Sequence, residues 1–420
     1  MDTSTPALVL GSARHGGLAV TRSLGRLGVA VYVVDADPWT PSFFSKYCQR
    51  RFVWDIDRAP TEDSVRYLTA IGRALGRRAI LFPTADTAAL FIAANADALQ
   101  AWFLFPHLPF HLAQSLYSKK EMYFLARSLG VATPNTCFPS SRQDVLTFAE
   151  GARFPIMLKA IEERRAKNQV AREKVIVREK QGLLDHYEIM EDPHHPNLLL
   201  QEYIPGGEGA NWMFNGYFAE NSECLFGLSG RKIRQYHPFA GITSLGVCEP
   251  NATVAETTKQ FMKAIHYRGA LDIGHRYDSR DGLYKVFDVN PRIGCTFRLF
   301  VSDNGMDVAR AMYLDLTGQP VVAGRDLPER KWMVEDIDLA SSLCYWRDGR
   351  LTATEWLRSF RGLQESAFFA PDDMRPLLSM CLYDFRHFFR RPRKRQGTIL
   401  KTCAATKVNS PSGALGKTDA

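Results

Sequence analysis

Four residues in the second half of the chain have types and spacing that suit metal–phosphate chemistry. Asp272 stands in GALDIG, and Asp288, Asn290 and Arg292 stand in FDVNPR. Side chains alternate along a strand, so Asp288 and Asn290 share one face while Phe287 and Val289 take the other. Residues 270–274 and 283–290 read as two strands joined by the turn-forming run Asp278-Ser279-Arg280-Asp281-Gly282. A hairpin turning about Arg280 sets Asp272 opposite Asp288, because both lie equally far from that centre. Two carboxylates this close repel unless a proton or a cation sits between them. Carboxylate and amide oxygens suit Mg²⁺ or Mn²⁺, and protein Mg²⁺ sites complete their shell with substrate phosphates. Pro291 stops the strand and Arg292 follows as a fixed cation beside such phosphates. The plainer alternative is an exposed hairpin whose acids face water, so the rest of the chain decides.

The rest of the chain supplies phosphate-binding residues in order. Lys119 and Lys120 open a helix, KKEMYFLARSLG, that ends at Gly130. Two lysines at a helix start oppose the macrodipole, a mild cost that singles out Lys119. Residues 154–160, FPIMLKA, form an apolar strand closed by Lys159, placed to hold a phosphate oxygen. Residues 198–204, LLLQEYI, are a further strand, followed by the turn PGGEG at 205–209. The charged stretch EERRAKNQVAREK falls at 162–174, where a loop is expected before the strand VIV at 175–177. Arg234 lies in a cationic run, RKIRQY, just before a loop containing Pro and Gly.

These segments need a scaffold, and the N-terminal third provides one. Residues 7–35 read strand, glycine turn, helix, strand, the start of a parallel doubly wound sheet. Dinucleotide binding with Asp35 as the ribose acid is one reading of such a unit. However, Gly11, Gly16 and Gly17 do not form G-x-G-x-x-G, and no P-loop lysine is present. The sheet continues through AILFP at 79–83, with Thr84 and Asp86 as caps of the next helix. Residues 211–218 and 224–230 suggest an antiparallel meander, 255–267 a helix, and 307–316 another. Residues 326–384 look mainly helical, and 401–420 are rich in small polar residues, as in a disordered tail.

Bulk composition bounds the class. The 420 residues allow two or three domains, and 45% hydrophobic with 23% charged residues is ordinary for a globular protein. Eight scattered cysteines without a C-x-x-C pair argue against a zinc site or a disulfide framework and fit a reducing cytosol. The net charge of +8 is concentrated: Arg386, Arg390, Arg391, Arg393, Lys394, Arg395 and Lys401 lie in one segment without acids. The body is near neutral, so the basic pI does not imply nucleic-acid binding.

Taken in order, Lys119 before Gly130, PIMLK at 155–159, QEYIPGGEG at 201–209 and FDVNPR at 287–292 resemble the ATP-grasp superfamily of ADP-forming carboxylate–amine ligases, over roughly residues 5–325. Within it the chain looks most like the D-aspartate-ligase-like predicted carboligases. The resemblance implies an α/β protein: a Rossmann-like pre-ATP-grasp domain (1–113), then a two-lobed α+β ATP-grasp domain (114–325, lobes 114–197 and 198–325). A mainly helical extension with the basic segment (326–400) and the tail (401–420) would follow. It implies that Lys119 and Lys159 hold the ATP phosphates, that Gln201, Glu202, Tyr203 and Ile204 meet adenine, and that Glu208 binds the ribose. Asp272, Asp288 and Asn290 would hold Mg²⁺ (or Mn²⁺), Arg292 would lie beside the transferred phosphate, and Arg234 would meet the substrate carboxylate. The family's phosphate-covering loop is usually glycine-rich, whereas 162–174 contains no glycine.

The implied chemistry activates a small-molecule carboxylate as an acyl phosphate and couples it to an amine, with no side-chain nucleophile. His15, His237 and His275 are available as bases. A regulatory ATP-binding protein without turnover, a nicotinamide-dependent oxidoreductase, and a ligase with a thiol or hydroxyl acceptor are the rival readings. The expected location is cytoplasmic. The segment DFRHFFRRPRKRQGTILK at 384–401 interleaves phenylalanine with basic residues, as for contact with an anionic membrane or an acidic partner.

Overall fold

The computed structural model describes residues 1–11, 15–161, 174–236, 238 and 241–390; for Glu208 and residues 383, 384 and 386–390 only the backbone is described. The first unit alternates strand and helix: β1 (Ala7–Leu10), α1 (His15–Gly25), β2 (Val31–Asp35), β3 (Cys48–Val53), α2 (Thr61–Leu75), β4 (Ala79–Pro83), α3 (Asp86–Ala94), α4 (Ala96–Leu99) and β5 (Phe103–Leu104). Its strands pair in parallel in the order β3-β2-β1-β4-β5. The continuous apolar runs of β1 and β4 follow from burial on both faces by the crossover helices. The strand order reverses between β1 and β4, which opens a crevice at their carboxyl ends.

The second unit contains α5 (Phe110–Tyr117), α6 (Lys119–Ser128), β6 (Thr136–Cys137), α7 (Arg142–Gly151), β7 (Ile156–Ala160), β8 (Val175–Val177), α8 (Lys180–Met190) and β9 (Leu198–Glu202). Its four strands form an antiparallel sheet ordered β6-β9-β7-β8. One face packs on α7 and α8 through Val145, Ile156, Leu158, Leu183, Leu198 and Leu200, a core of its own. Each such side chain contributes roughly 1.5–3 kcal/mol by leaving water.

The third unit is built on β10 (Asn211–Phe218), β11 (Cys224–Tyr236), β12 (Ile242–Cys248), α9 (Ala252–Ala264), β13 (Gly269–Asp278), β14 (Leu283–Asn290) and α10 (Val308–Leu316). It continues through β15 (Lys331–Met333), α11 (Glu335–Arg347), α12 (Ala353–Ser359), β16 (Leu363–Ser366) and α13 (Arg375–Arg390). The sheet order is β14-β13-β10-β11-β12-β15-β16. The C-terminal part is mainly helical, and it also adds β15 and β16 to this sheet. Trp332 on β15 is buried in the same cluster as Val9, Leu18, Met213, Phe300 and Met312, so the first unit and the large sheet share one core. Among the described residues no helix is long and apolar enough to cross a membrane.

Two expectations about strands change. β11 runs on to Tyr236 instead of ending near Gly230, with bulges between Lys232 and Arg234 and between Arg234 and Gln235. In the β13–β14 hairpin Asp272 pairs with Asn290, and Asp288 pairs with Gly274. A bulge between Gly274 and His275 and the placement of the turn shift the register from the one centred on Arg280. The shift preserves the facing of these side chains, because Asp272 and Gly274 lie on the same side of β13.

Candidate nucleotide and metal site

Three polar residues cross the large sheet in register: Asn215 on β10, Asp272 on β13 and Asn290 on β14. Asn215 Nδ2 donates to Asp272 Oδ1 at 3.0 Å, and Asn290 Nδ2 lies 3.3 Å from Asp288 Oδ2. The backbone at Gly294 passes directly over Asp272: a Cβ there would stand 2.5 Å from the Asp272 Cγ, so only glycine leaves this carboxylate its place. Burial raises the pKa of Asp272; Arg292 pulls it down and Asp288 pushes it up again. A half-buried pair of neighbouring carboxylates favours a cation between them.

Lysines face this corner from the smaller sheet and the large one. Burial lowers the pKa of Lys159, and repulsion from Lys119 and Lys174 lowers it further against the pull of Asp288, to about 7. Burial likewise lowers Lys232, which Asp272 and Asp288 pull back up. Lys119 and Asp288 thus both lie within electrostatic reach of Lys159. Lys119 is the first residue of α6, behind the N-cap Ser118, whose side chain accepts from the Glu121 N–H.

A cavity of about 110 Å³ lies between the two sheets, lined by Lys159, Lys174, Lys232 and the strand Gln201, Glu202, Tyr203 and Ile204, with Met157 and Phe287 as apolar walls. Glu202 pairs with Arg280 at 3.0 Å, so the hairpin turn reaches this strand. Arg276 donates to Ile204 O at 2.8 Å and to Asn211 Oδ1 at 2.9 Å, and its guanidinium stacks on the Tyr203 ring. The side chain of Glu208, the loop residues 162–173 and His237 lie outside the described residues.

The residues present fit a nucleotide with a divalent cation. The candidate ligand atoms, the carboxylate oxygens of Asp272 and Asp288 and the amide oxygen of Asn290, are all oxygens, the set that Mg²⁺ takes. At this site two buried polar atoms have no hydrogen-bond partner among the described residues: Asn215 Oδ1, beside the acids, and Asn211 Nδ2, in the cavity wall. Each amide is oriented by its other end, since Asn215 Nδ2 must face a carboxylate and Asn211 Oδ1 must face Arg276. An unpaired buried polar atom costs about 1–3 kcal/mol unless a ligand or water meets it.

Arg234 is not at this site. It is 1% exposed and forks onto Asp338 of α11, Nε to Oδ1 at 2.9 Å and Nη2 to Oδ2 at 2.7 Å, with Nη1 donating to Ser359 Oγ at 2.6 Å. The bulges on both sides of Arg234 turn it away from the face that carries Lys232. Asp86 is not a helix cap: Ala85 holds the N-cap position, and the Asp86 carboxylate accepts from Arg292 Nε at 2.8 Å. His275 is fully buried on the opposite face against Thr258, its pKa lowered by burial to about 3, which leaves it neutral and out of the chemistry. His15 is buried against Trp332 and Phe368. Sequence reading missed Lys174, Lys232, Asn211 and Asn215. Alternation along β10 pairs the two asparagines on one face; nothing in the sequence distinguished Lys232 from Arg234.

The three-unit arrangement, with a cleft between a small antiparallel sheet and a larger one, is that of the ATP-grasp fold. No family profile matches the chain. By sequence it is similar to D-aspartate ligase of Enterococcus faecium, 24% identical over 286 residues that cover 66% of this chain and 68% of that protein. By structure it is similar to N5-carboxyaminoimidazole synthetase from Staphylococcus aureus, with a TM-score of 0.58 at 12% identity over 79% of this chain and 82% of that one. L-amino acid ligase from Bacillus licheniformis gives a TM-score of 0.57 at 15% identity over 79% of both chains. A biotin carboxylase domain from Hydrogenobacter thermophilus, solved with MgADP, gives 0.58 at 15% identity over 78% of this chain and 73% of that one.

Proposed function

We infer that the chain is an ATP-dependent, ADP-forming ligase that joins a small-molecule carboxylate to an amine. What supports this reading most is that Asp272 and Asp288 act electrostatically on Lys232, and Asp288 and Lys119 on Lys159, while Lys159 and Lys232 line the cavity together with Gln201–Ile204. The apolar walls suit adenine, and Asn211 Nδ2 offers a donor beside it. Asp272, Asp288 and Asn290 would hold Mg²⁺, with Mn²⁺ as a substitute. When bound, the ion neutralises charge on the phosphate oxygens. The lysines add fixed positive charge where charge builds up in phosphoryl transfer, and Arg292 does the same from the acid side.

A substrate carboxylate oxygen attacks the γ-phosphorus as the bond to the β–γ bridging oxygen breaks, giving an acyl phosphate and ADP. The amine nitrogen then attacks the acyl carbon; the C–O bond to phosphate breaks, and the amine loses a proton. The crevice between β1 and β4 faces the Arg292 loop, since the Ile293 N–H donates to Pro83 O at 3.4 Å. This crevice is where the carboxylate would sit. A thiol or hydroxyl acceptor would use the same first step.

The test is ADP release on adding candidate amino acids, carboxylates and amines. Asp288→Ala and Lys159→Ala should each reduce that release by about 10²–10³-fold, as for loss of a preorganised charge. Unchanged release in both would refute the site, and ATP binding without substrate-dependent ADP would favour a regulatory role.

A separate proposal concerns the C-terminus. Leu378, Leu382 and Phe385 form an exposed apolar stripe on α13 at helical spacing, just before the basic segment. Together these suit peripheral contact with an anionic membrane surface.

A further inference from the structure

Asp86 is the first residue of α3, at the carboxyl end of the N-terminal sheet, and its carboxylate is about one-third exposed. A carboxylate there is favourable in itself, because it meets the positive end of the helix dipole. That explains its residue type but not its partner. Arg292, on the loop after β14, brings Nε to within 2.8 Å of Asp86 Oδ1. The same guanidinium approaches Asp272 Oδ2 at 3.5 Å and donates from Nη1 to Ile293 O at 3.3 Å. One arginine therefore has two carboxylates within reach, and the nearer belongs to another unit of the fold.

The choice between them has a chemical consequence. Asp272 has one oxygen taken by Asn215, so Oδ2 is the oxygen left for a cation. A guanidinium forks readily onto a carboxylate through two parallel hydrogen bonds. If Arg292 forked onto Asp272, it would occupy that oxygen and cancel the charge that attracts the metal. An arginine guanidinium does not lose its proton in proteins, so Arg292 is a permanent cation and will pair with whichever acid is available.

We propose that Asp86 is a positioning residue that draws the Arg292 guanidinium onto itself and so keeps it from forking onto Asp272, leaving Asp272 Oδ2 able to bind the nucleotide's divalent cation. The inference rests on the metal site proposed above. It assigns the N-terminal unit a direct part in metal binding, through a single ion pair across the interface.

The experiment measures Mn²⁺ bound to the full chain in the presence of ADP, by electron paramagnetic resonance. Asp86→Asn keeps the shape of the side chain but removes the charge. It should weaken Mn²⁺ binding about tenfold, in the range seen when a partner of a metal ligand is lost. Asp86→Glu should restore most of the affinity. The decisive variant is Asp86→Asn combined with Arg292→Met: with the competing guanidinium gone, Mn²⁺ affinity should return towards that of the unsubstituted chain although turnover stays low. A purely structural role for Asp86 predicts losses that add instead. Unchanged Mn²⁺ affinity in Asp86→Asn, or a further loss in the double variant, overturns the proposal. If Asp86→Asn does not fold, Asp86→Ala is compared in its place, with the same expected loss of Mn²⁺ affinity; unchanged affinity there overturns the proposal. Binding that is lost in Asp288→Ala but indifferent to Asp86 refutes this inference alone. Absence of Mn²⁺ binding by the unsubstituted chain refutes the metal site as well.

Discussion

At the scale of the residue, Lys159 carries the clearest pH signature. Its pKa falls from the ordinary 10.5 to about 7, first through burial and then through Lys119 and Lys174. Between those two values the unfolded chain holds a proton that the folded chain has shed. Stability from this group is therefore lowest below pH 7 and rises with pH through that window. Nucleotide phosphates favour the protonated form, so binding raises the pKa again. Calorimetry of ADP binding at pH 8, in two buffers of different ionisation enthalpy, should show uptake of about one proton. Uptake that persists unchanged in Lys159→Met would assign it to another group.

At the scale of the element, the two bulges in β11 decide what Arg234 does. They rotate it towards α11, where it locks the C-terminal helices to the large sheet through Asp338. Asp338 also accepts from Ser244 Oγ at 3.0 Å, so three elements meet at one buried carboxylate. Arg234→Met should cost about 3–5 kcal/mol, because it leaves Asp338 buried and unpaired. Urea denaturation gives that number. Substrate KM values at a temperature where the variant is folded should stay near those of the unsubstituted chain; a selective rise in KM for the carboxylate would return Arg234 to the active site. The β13–β14 hairpin works in the opposite direction. Its end nearest the acids is set by Asn215 and Gly294, and its turn, through Arg280, grips the strand that lines the cavity.

At the scale of the whole molecule, one core joins the N-terminal sheet, the large sheet and Trp332, while the smaller sheet keeps a core of its own. Lys159 thus belongs to the unit with the separate core, and Asp272 and Asp288 belong to the joined body. The C-terminal stripe of Leu378, Leu382 and Phe385 lies on the helix that ends that body. The full chain should co-sediment with anionic liposomes and lose that binding in high salt, since each basic residue near the surface contributes about 1 kcal/mol. A chain ending at Tyr383 should stay in the supernatant; equal sedimentation of both would remove the membrane from the account.

The parallel sheet, the antiparallel meander and the grouping of Asp272, Asp288 and Asn290 were legible in the sequence. They depend on local apolar periodicity and on the two-residue alternation of a strand. The placement of Lys119 at a helix start and of Lys159 near the end of an apolar strand was legible too, because a lysine in either place is locally unfavourable and so stands out. Bulges are not legible in this way, since one extra residue in a ladder leaves no mark on composition; hence the hairpin register and the orientation of Arg234 came only from the folded sheet. The partners of Asp86, Asn215 and Gly294 were equally hidden. Each is defined by a residue far along the chain, and only tertiary packing brings such pairs within hydrogen-bonding distance.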